Sequence, residues 1–407
     1  MIKSGDNPGA EAKKTLPMPE NASDKGLAPG LARLGQKSLD GLECWTSPLA
    51  GHAKVHFGRG AFDLLPDLLA AENPDKVFVI TDPKVFGLYR APLMHLLAEG
   101  FTLETLLIPE GETEKTLGNL EKVCNELFER GITRSSIVVT FGGGVVLNLG
   151  GLAASLAYRG VRLFHVPTTL MAQSDVIISN KQGINFAGGK NRLGVFHAPV
   201  ASLADPRFCK TESLRQLKAA MAEYAKNALL LGGKHFDEAV AFFAGGDWFA
   251  DAKLDKLLRD SLAQKFEIAR LDPREKGLGL MLEYGHTVGH ALEWLCHGRL
   301  LHGEAVWHGM NVAGLLANRM GLLPDEEYRK QTSLLQHLAC IPSIPAEISV
   351  GQIMQSVQKD NKKTAQGLGF VLLESVGKVH SHGQGVLTPI DETLLHDVIK
   401  AYRGATL

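Results

Sequence analysis

The strongest constraint on the fold is a change of apolar period near residue 207. Before it, short β-branched or apolar runs at 76–80 (KVFVI), 103–108, 136–141 (SIVVTF) and 161–166 alternate with helical spacing at 85–97 and 117–130 and a small-residue stretch through 157. Runs without in–out alternation suit strands covered on both faces, and strands alternating with helices build a mainly parallel sheet. After residue 210, helical spacing dominates at 214–231, 253–270, 287–296, 304–320 and 325–339. A short hairpin near 369–374 and 378–380 precedes a last helix at 392–401. The expected fold is an α/β domain over 46–207 with a mainly parallel sheet, followed by a mainly α-helical domain over 208–407. Residues 1–45, rich in Gly, Pro, Ser, Lys and Glu, are expected to form a disordered or loosely packed extension.

Charge narrows the function classes. Forty-three Lys and Arg against forty-four Asp and Glu leave a net charge of -1, so no nucleic-acid partner is expected. No apolar run approaches the ~18 residues of a membrane span, and residues 1–15 lack the apolar core of a secretory signal. The expectation is a cytoplasmic protein with no membrane partner. The five cysteines are widely scattered and match neither a disulfide framework nor a thiolate metal site.

Three segments carry chemistry. Gly142, Gly143 and Gly144 follow a strand and open a helix, a turn that can bring backbone N–H groups to a pyrophosphate or serve as a plain tight connection. Residues 165–199 hold Asp175, Lys181, Asn185, Lys190 and Asn191 without a clean period. Such a polar loop after a parallel strand is either a site or a solvated connection; its lysines suit phosphate oxygens and its asparagines suit hydroxyls. EYGHTVGH at 283–290 places His286 and His290 on one helical face, and LHGEA follows at 301–305. There is no HExxH motif. Two histidines and one distant carboxylate, with Glu223 of AEYAKN (222–227) as candidate, would still complete a catalytic metal site. Capping or solvated histidines are the alternative.

Together these segments resemble the sugar-phosphate cyclases, the dehydroquinate-synthase-like superfamily. The ordered markers are GETEKT (111–116), FGGGVVLNLGG (141–151), YRGV (158–161), VPTTLMAQSD (166–175), NKQGIN (180–185), GGKNRLG (188–194), AEYAKN, GHTVGHA (285–291), LHGEAV (301–306) and DNKK (360–363). The resemblance implies a nucleotide-binding α/β domain followed by a helical metal-binding domain. It implies one zinc or cobalt ion on Glu223, His286 and His302. An NAD+ site would draw on Asp82, Glu112, Lys115, Gly143, Gly144, Asn148, Thr168, Thr169 and Lys190, with Asp175 and Lys181 where nicotinamide meets substrate. A phosphorylated sugar would meet Lys181, Asn191, Lys226, Lys265, His290 and Lys362. Arg159 matches a family arginine that reaches the neighbouring subunit's site, which implies a homodimer. The implied catalytic groups are Lys181, Glu283, His290 and Asp175.

Within the superfamily, dehydroquinate synthases carry an arginine seven residues before the first metal histidine and an asparagine three before it, both addressing a substrate carboxylate. Here those positions hold Gly279 and Glu283, and the usual aspartate after the glycine turn is Asn148. A carboxylate without its counter-ion loses heavily. GLGLMLEYGHTVGH, ANRMGLLP (317–324) and VLLESVGK (371–378) look most like the 2-deoxy-scyllo-inosose synthase branch. That branch cyclises glucose 6-phosphate through oxidation, phosphate elimination, reduction and intramolecular aldol closure, a lyase reaction of aminocyclitol antibiotic biosynthesis. The AASLAYRG and GGKNRLG segments are also similar to sedoheptulose 7-phosphate cyclases, the 2-epi-valiolone and 2-epi-5-epi-valiolone synthases. A 3-dehydroquinate synthase and, in a different class, a metal-dependent alcohol dehydrogenase complete the alternatives. Glu283 is expected to move a proton in the reaction, or otherwise to hydrogen-bond His286.

Overall fold

The computed structural model describes residues 42–406 apart from residues 48, 51, 98–99, 273–276, 339–340, 360–362, 365–366 and 384. Most of the expected N-terminal extension and Lys362 with its DNKK motif therefore lie outside the described residues.

A seven-stranded sheet organises the first half. Its strands are β1 (Glu43–Thr46), β2 (Lys54–Phe57), β3 (Val77–Thr81), β4 (Leu103–Leu107), β5 (Ile137–Gly142), β6 (Arg162–Pro167) and β9 (Ala201–Ala204), in the order β1-β2-β9-β6-β5-β3-β4. All neighbours run parallel except β1 against β2. Helices α1 (Leu65–Ala71), α2 (Pro83–Leu97), α3 (Leu117–Glu129) and α4 (Gly144–Leu156) flank the sheet. The continuous apolar runs have a direct structural reason: alternate residues of one strand feed opposite cores. Phe78, Ile80 and Val138 pack with residues of α3 and α4, while Val77, Val79 and Val139 pack with Leu65, Leu69 and Leu93 of α1 and α2. The four strands expected from periodicity appear within one residue of their expected ends.

Two expectations needed correction. Residues 43–45, assigned to the extension, belong to β1, because Trp45 is buried against Phe57 and Phe266. Part of the polar loop after β6 is an antiparallel hairpin, β7 (Lys181–Phe186) with β8 (Gly189–Phe196), preceded by α5 (Leu170–Ser174). β8 is exposed along most of its length, so it has no buried face to write a two-residue period. The hairpin is anchored at Gln182, whose amide nitrogen donates to His165 Nε2 at 3.1 Å and to the His197 carbonyl at 3.1 Å.

The second half is helical: α6 (Leu214–Leu231), α7 (Gly233–Ala244), α8 (Asp251–Leu271), α9 (His286–Cys296), α10 (His302–Arg319), α11 (Asp325–Gln336), α12 (Val350–Val357) and α13 (Glu392–Thr406). One large core unites them. α7 and α12 were absent from the periodicity reading. The expected C-terminal hairpin exists as Leu373–Ser375 with Lys378–Val379, whereas Gly367–Phe370 joins a separate sheet with Lys363–Thr364 and Thr388–Ile390. The two halves meet where Leu258, Leu262 and Phe266 of α8 pack with Trp45, Val55 and Phe57, and where Arg59 pairs with Asp255 at 2.8 Å.

Candidate active site

The sheet order reverses between β3 and β5, which are hydrogen-bonded neighbours although β4 intervenes in the chain. In open α/β sheets, ligands settle beyond the carboxyl ends of the strands at such a point. The segments leaving four adjacent strands carry the nucleotide candidates: Asp82 after β3, Glu112 and Lys115 after β4, Gly143 and Gly144 after β5, Thr168 and Thr169 after β6. The glycines are needed for close approach rather than for unusual torsions. A Cβ on Gly142 would lie 2.6 Å from Val146 Cγ2, and one on Gly143 would lie 3.2 Å from Thr169 Cγ2. The start of α4 thus offers bare backbone N–H groups and the positive end of a helix, which suits a pyrophosphate. Asp82 caps α2 through Val85 N at 2.9 Å, and Thr169 caps α5 through Ala172 N at 3.2 Å.

A cavity of about 1270 Å³ runs from these turns into the helical half. Its wall includes Asp82, Glu112, Lys115, Gly143, Gly144, Asn148, Thr168, Thr169, Asp175, Lys181, Lys190 and Asn191 from the α/β half. Lys226, Lys265, Glu283, His286, His290 and His302 line it from the helical half. Glu223 lies just behind it. Arg159 does not line the cavity. It is exposed, at the end of α4, where Tyr158 and Arg159 take φ values of 50° and 68°.

At the helical end, Glu223 of α6, His286 at the start of α9 and His302 at the start of α10 offer one ligand atom each, all within 4.8 Å of one another. Glu223 Oε1 stands 3.6 Å from Nε2 of each histidine, too far for hydrogen bonds. Neither carboxylate oxygen has an aligned hydrogen-bond donor, although the Lys226 ammonium lies 2.5 Å from Oε2. Both rings are oriented from behind: His286 Nδ1 donates to the Tyr284 carbonyl at 3.1 Å and His302 Nδ1 to Glu293 Oε2 at 3.0 Å. Bonds of this kind fix the tautomer that leaves Nε2 free to ligate. Among the described residues these three form the group able to hold a metal ion, and the donor set fits a divalent cation with positions left for substrate oxygens.

The electrostatics agree. Burial opposes ionisation of Glu223, but Lys226, His286 and His302 hold its carboxyl well below the usual range. Burial also opposes a charge on His302, yet Glu293 and Glu223 push its pKa up to about 10. The two carboxylates demand positive charge at this point, which a divalent cation supplies.

Several expected residues are held by contacts that the sequence did not reveal. Lys226 lines the cavity, but its ammonium is committed to the Leu282 carbonyl at 2.7 Å and to Glu223. Lys265 pairs with Asp175. Asn191 Oδ1 accepts from Lys115 Nζ at 2.5 Å. Glu293, on α9 two turns beyond His286, was missed altogether. Its signal was an acid amid apolar helix positions, the same signal that selected Glu223. Thr211 and Glu212 also line the cavity without having been expected, and Glu212 accepts a bond from Leu170 N at 2.8 Å.

Gly279 is buried, and a Cβ there would lie 2.7 Å from the Asp272 carbonyl oxygen. Asp272 Oδ2 accepts from Gly279 N at 3.1 Å and from Gly277 N at 2.5 Å. The position that would carry a carboxylate-binding arginine is packed against backbone.

The comparisons place the chain in a family. Residues 105–219 match the 3-dehydroquinate synthase N-terminal model and residues 220–363 the 3-dehydroquinate synthase C-terminal model. The chain belongs to the 3-dehydroquinate synthase family, a family of cyclase enzymes. It is 35% identical to 2-deoxy-scyllo-inosose synthase of Streptomyces kanamyceticus over 84% of this chain and 89% of that protein. It is also 35% identical to 3-dehydroquinate synthase of Picosynechococcus sp., over 75% of this chain and 84% of that protein. A crystal structure of 2-deoxy-scyllo-inosose synthase complexed with carbaglucose-6-phosphate, NAD+ and Co2+ superimposes with a TM-score of 0.81 at 29% identity, covering 88% of this chain and 99% of that one. No helix among the described residues is long and apolar enough to cross a membrane.

Proposed function

We propose that the chain is an NAD+- and metal-dependent sugar-phosphate cyclase that converts glucose 6-phosphate to 2-deoxy-scyllo-inosose and phosphate. The observation that carries this reading is Gly279: the site of a carboxylate-binding arginine is filled by backbone, and its companion position is the acid Glu283. Glu283 lines the cavity and disfavours a substrate carboxylate, and no arginine stands at 279 to pair with one. The Streptomyces relative and the carbaglucose-6-phosphate complex support the same substrate class.

When bound, NAD+ would supply reversible hydride acceptance on the Gly143–Thr169 side, and a zinc or cobalt ion on Glu223, His286 and His302 would supply Lewis acidity at adjacent hydroxyls. The reaction is redox-neutral overall, so the chain's own residues carry positioning and proton transfer. Glu283 is the proton carrier for the carbon acidified beside the transient ketone. The Tyr284 carbonyl already orients His286, which supports a catalytic use of Glu283 over a merely orienting one. Lys181 and His290 hold the phosphate and the reacting hydroxyl, and Asn191 addresses the substrate from the hairpin. The Asp175–Lys265 pair crosses from α5 to α8 where nicotinamide would meet sugar.

The active form is a homodimer in this reading. Arg159 is absent from its own cavity, as suits a residue completing the neighbour's. Leu156, three residues before it, and the hairpin residues Leu193, Val195 and Phe196 are exposed apolar side chains, which contact with a second copy would cover.

Phosphate release from glucose 6-phosphate, sedoheptulose 7-phosphate and the seven-carbon heptulosonate phosphate tests the assignment. Release from glucose 6-phosphate with NAD+ turning over catalytically is expected. Release from only one of the other two would reassign the substrate, and net accumulation of NADH would indicate a dehydrogenase.

A further inference from the structure

Glu293 is buried on α9 and uses its two carboxylate oxygens in opposite directions. Oε2 accepts from His302 Nδ1 at 3.0 Å, and Oε1 pairs with the Lys190 ammonium of the β7–β8 hairpin. Lys190 continues to Glu112 Oε1 at 2.8 Å, which also receives Asn185 Nδ2 at 3.0 Å and lies 3.9 Å from Lys115 Nζ. A chain of alternating charges therefore connects a candidate metal ligand in the helical half to three candidate nucleotide residues in the α/β half.

The two ends of this chain depend on one another through a single rigid group. An imidazole that donates from Nδ1 to a fixed carboxylate is locked with Nε2 toward the metal point. A buried ammonium such as Lys190 needs a carboxylate held in place, because an unpaired buried charge is strongly unfavourable. Whatever orders Glu293 from the His302 side also orders it for Lys190. Coupling of this kind is reciprocal by thermodynamic necessity.

We infer that Glu293 is a positioning residue that couples the metal and nucleotide sites, so that filling one tightens binding at the other. The inference rests on the cofactor reading above and adds a link that it does not require. Isothermal titration of NAD+ into the full chain, with and without saturating cobalt, measures the link directly. In the wild type, cobalt should tighten NAD+ about tenfold, within the usual span of coupling between sites. Glu293→Gln keeps the volume and removes the charge. It should weaken cobalt by about 10- to 100-fold, as loss of a ligand-orienting group does, shift the cobalt visible band, and bring the tenfold factor close to one. Lys190→Met, on the β7–β8 hairpin, should abolish the factor while leaving the cobalt band in place. A wild-type factor of one, or a factor preserved in both variants, overturns the inference. Failure of the wild type to bind cobalt or NAD+ at all overturns the cofactor reading itself.

Discussion

The two walls of the cavity are built differently. The metal wall is made by the middle of α6 and the starts of α9 and α10: Glu223 and His286 are almost fully enclosed, and each imidazole is oriented from behind. The opposite wall is the β7–β8 hairpin: the centre of β7 is buried, with Ile184 in the α/β core and Gln182 on His165, while Lys181 and Asn191 are exposed and most of β8 faces outward. A preorganised wall suits a group held through every cycle. In the proposed homodimer, the apolar side chains exposed on β8 would be covered by the second copy.

Substitutions can break this contrast, beginning with the largest effect. His286→Ala removes a metal-facing nitrogen from a rigid site, so cobalt binding and turnover should both be lost, measured by metal analysis and phosphate release. Glu283→Gln should lower turnover by about 10²- to 10⁴-fold, the range for a general acid–base group, with normal metal content. Undiminished turnover would remove Glu283 from proton transfer. Arg159→Ala should cost about 10²-fold, as expected for one anion-stabilising donor. Co-expression with Glu283→Gln should then restore about a quarter of the sites in a statistical mixture of symmetric dimers. No rescue would mean that Arg159 serves its own subunit or none.

Smaller effects sharpen the picture. Gly279→Arg should destabilise the fold by about 1–3 kcal/mol through overpacking, seen as a lower Tm, without creating activity on a carboxylate substrate. Glu212 gives a pH test. Burial, partly offset by the bond from Leu170 N, raises its carboxyl from 4.5 to about 7. Between these values the folded chain keeps a proton that the unfolded chain has released, so this group's contribution to stability falls as pH rises through that window. Glu212→Gln should flatten the slope of Tm between pH 5 and pH 8.

The contrast also explains what was legible in the amino-acid sequence. Buried strands and core helices write their period directly, so β3 to β6, α6 and α8 to α11 were readable nearly to their ends. The hairpin has no buried face on β8, so its sequence suggests a loop. Glu223, His286 and His302 carried a motif and meet in space. Glu293 meets His302 and Lys190 only through the pairing of α9 with α10 and with the hairpin, which no spacing encodes, whereas the Lys226–Glu223 contact is an i,i+3 pair within α6. Gly279 was legible as a missing arginine, but only the fold shows that Asp272 fills its place.

The most direct test of the central claim is the ratio of kcat/KM for glucose 6-phosphate to that for the heptulosonate phosphate, with cobalt and catalytic NAD+ present. The expected ratio is about 10³ or more in favour of glucose 6-phosphate, the scale on which a buried charge without its partner is rejected. A ratio below one would show that the chain handles the substrate carboxylate without an arginine at Gly279, and would contradict the assignment.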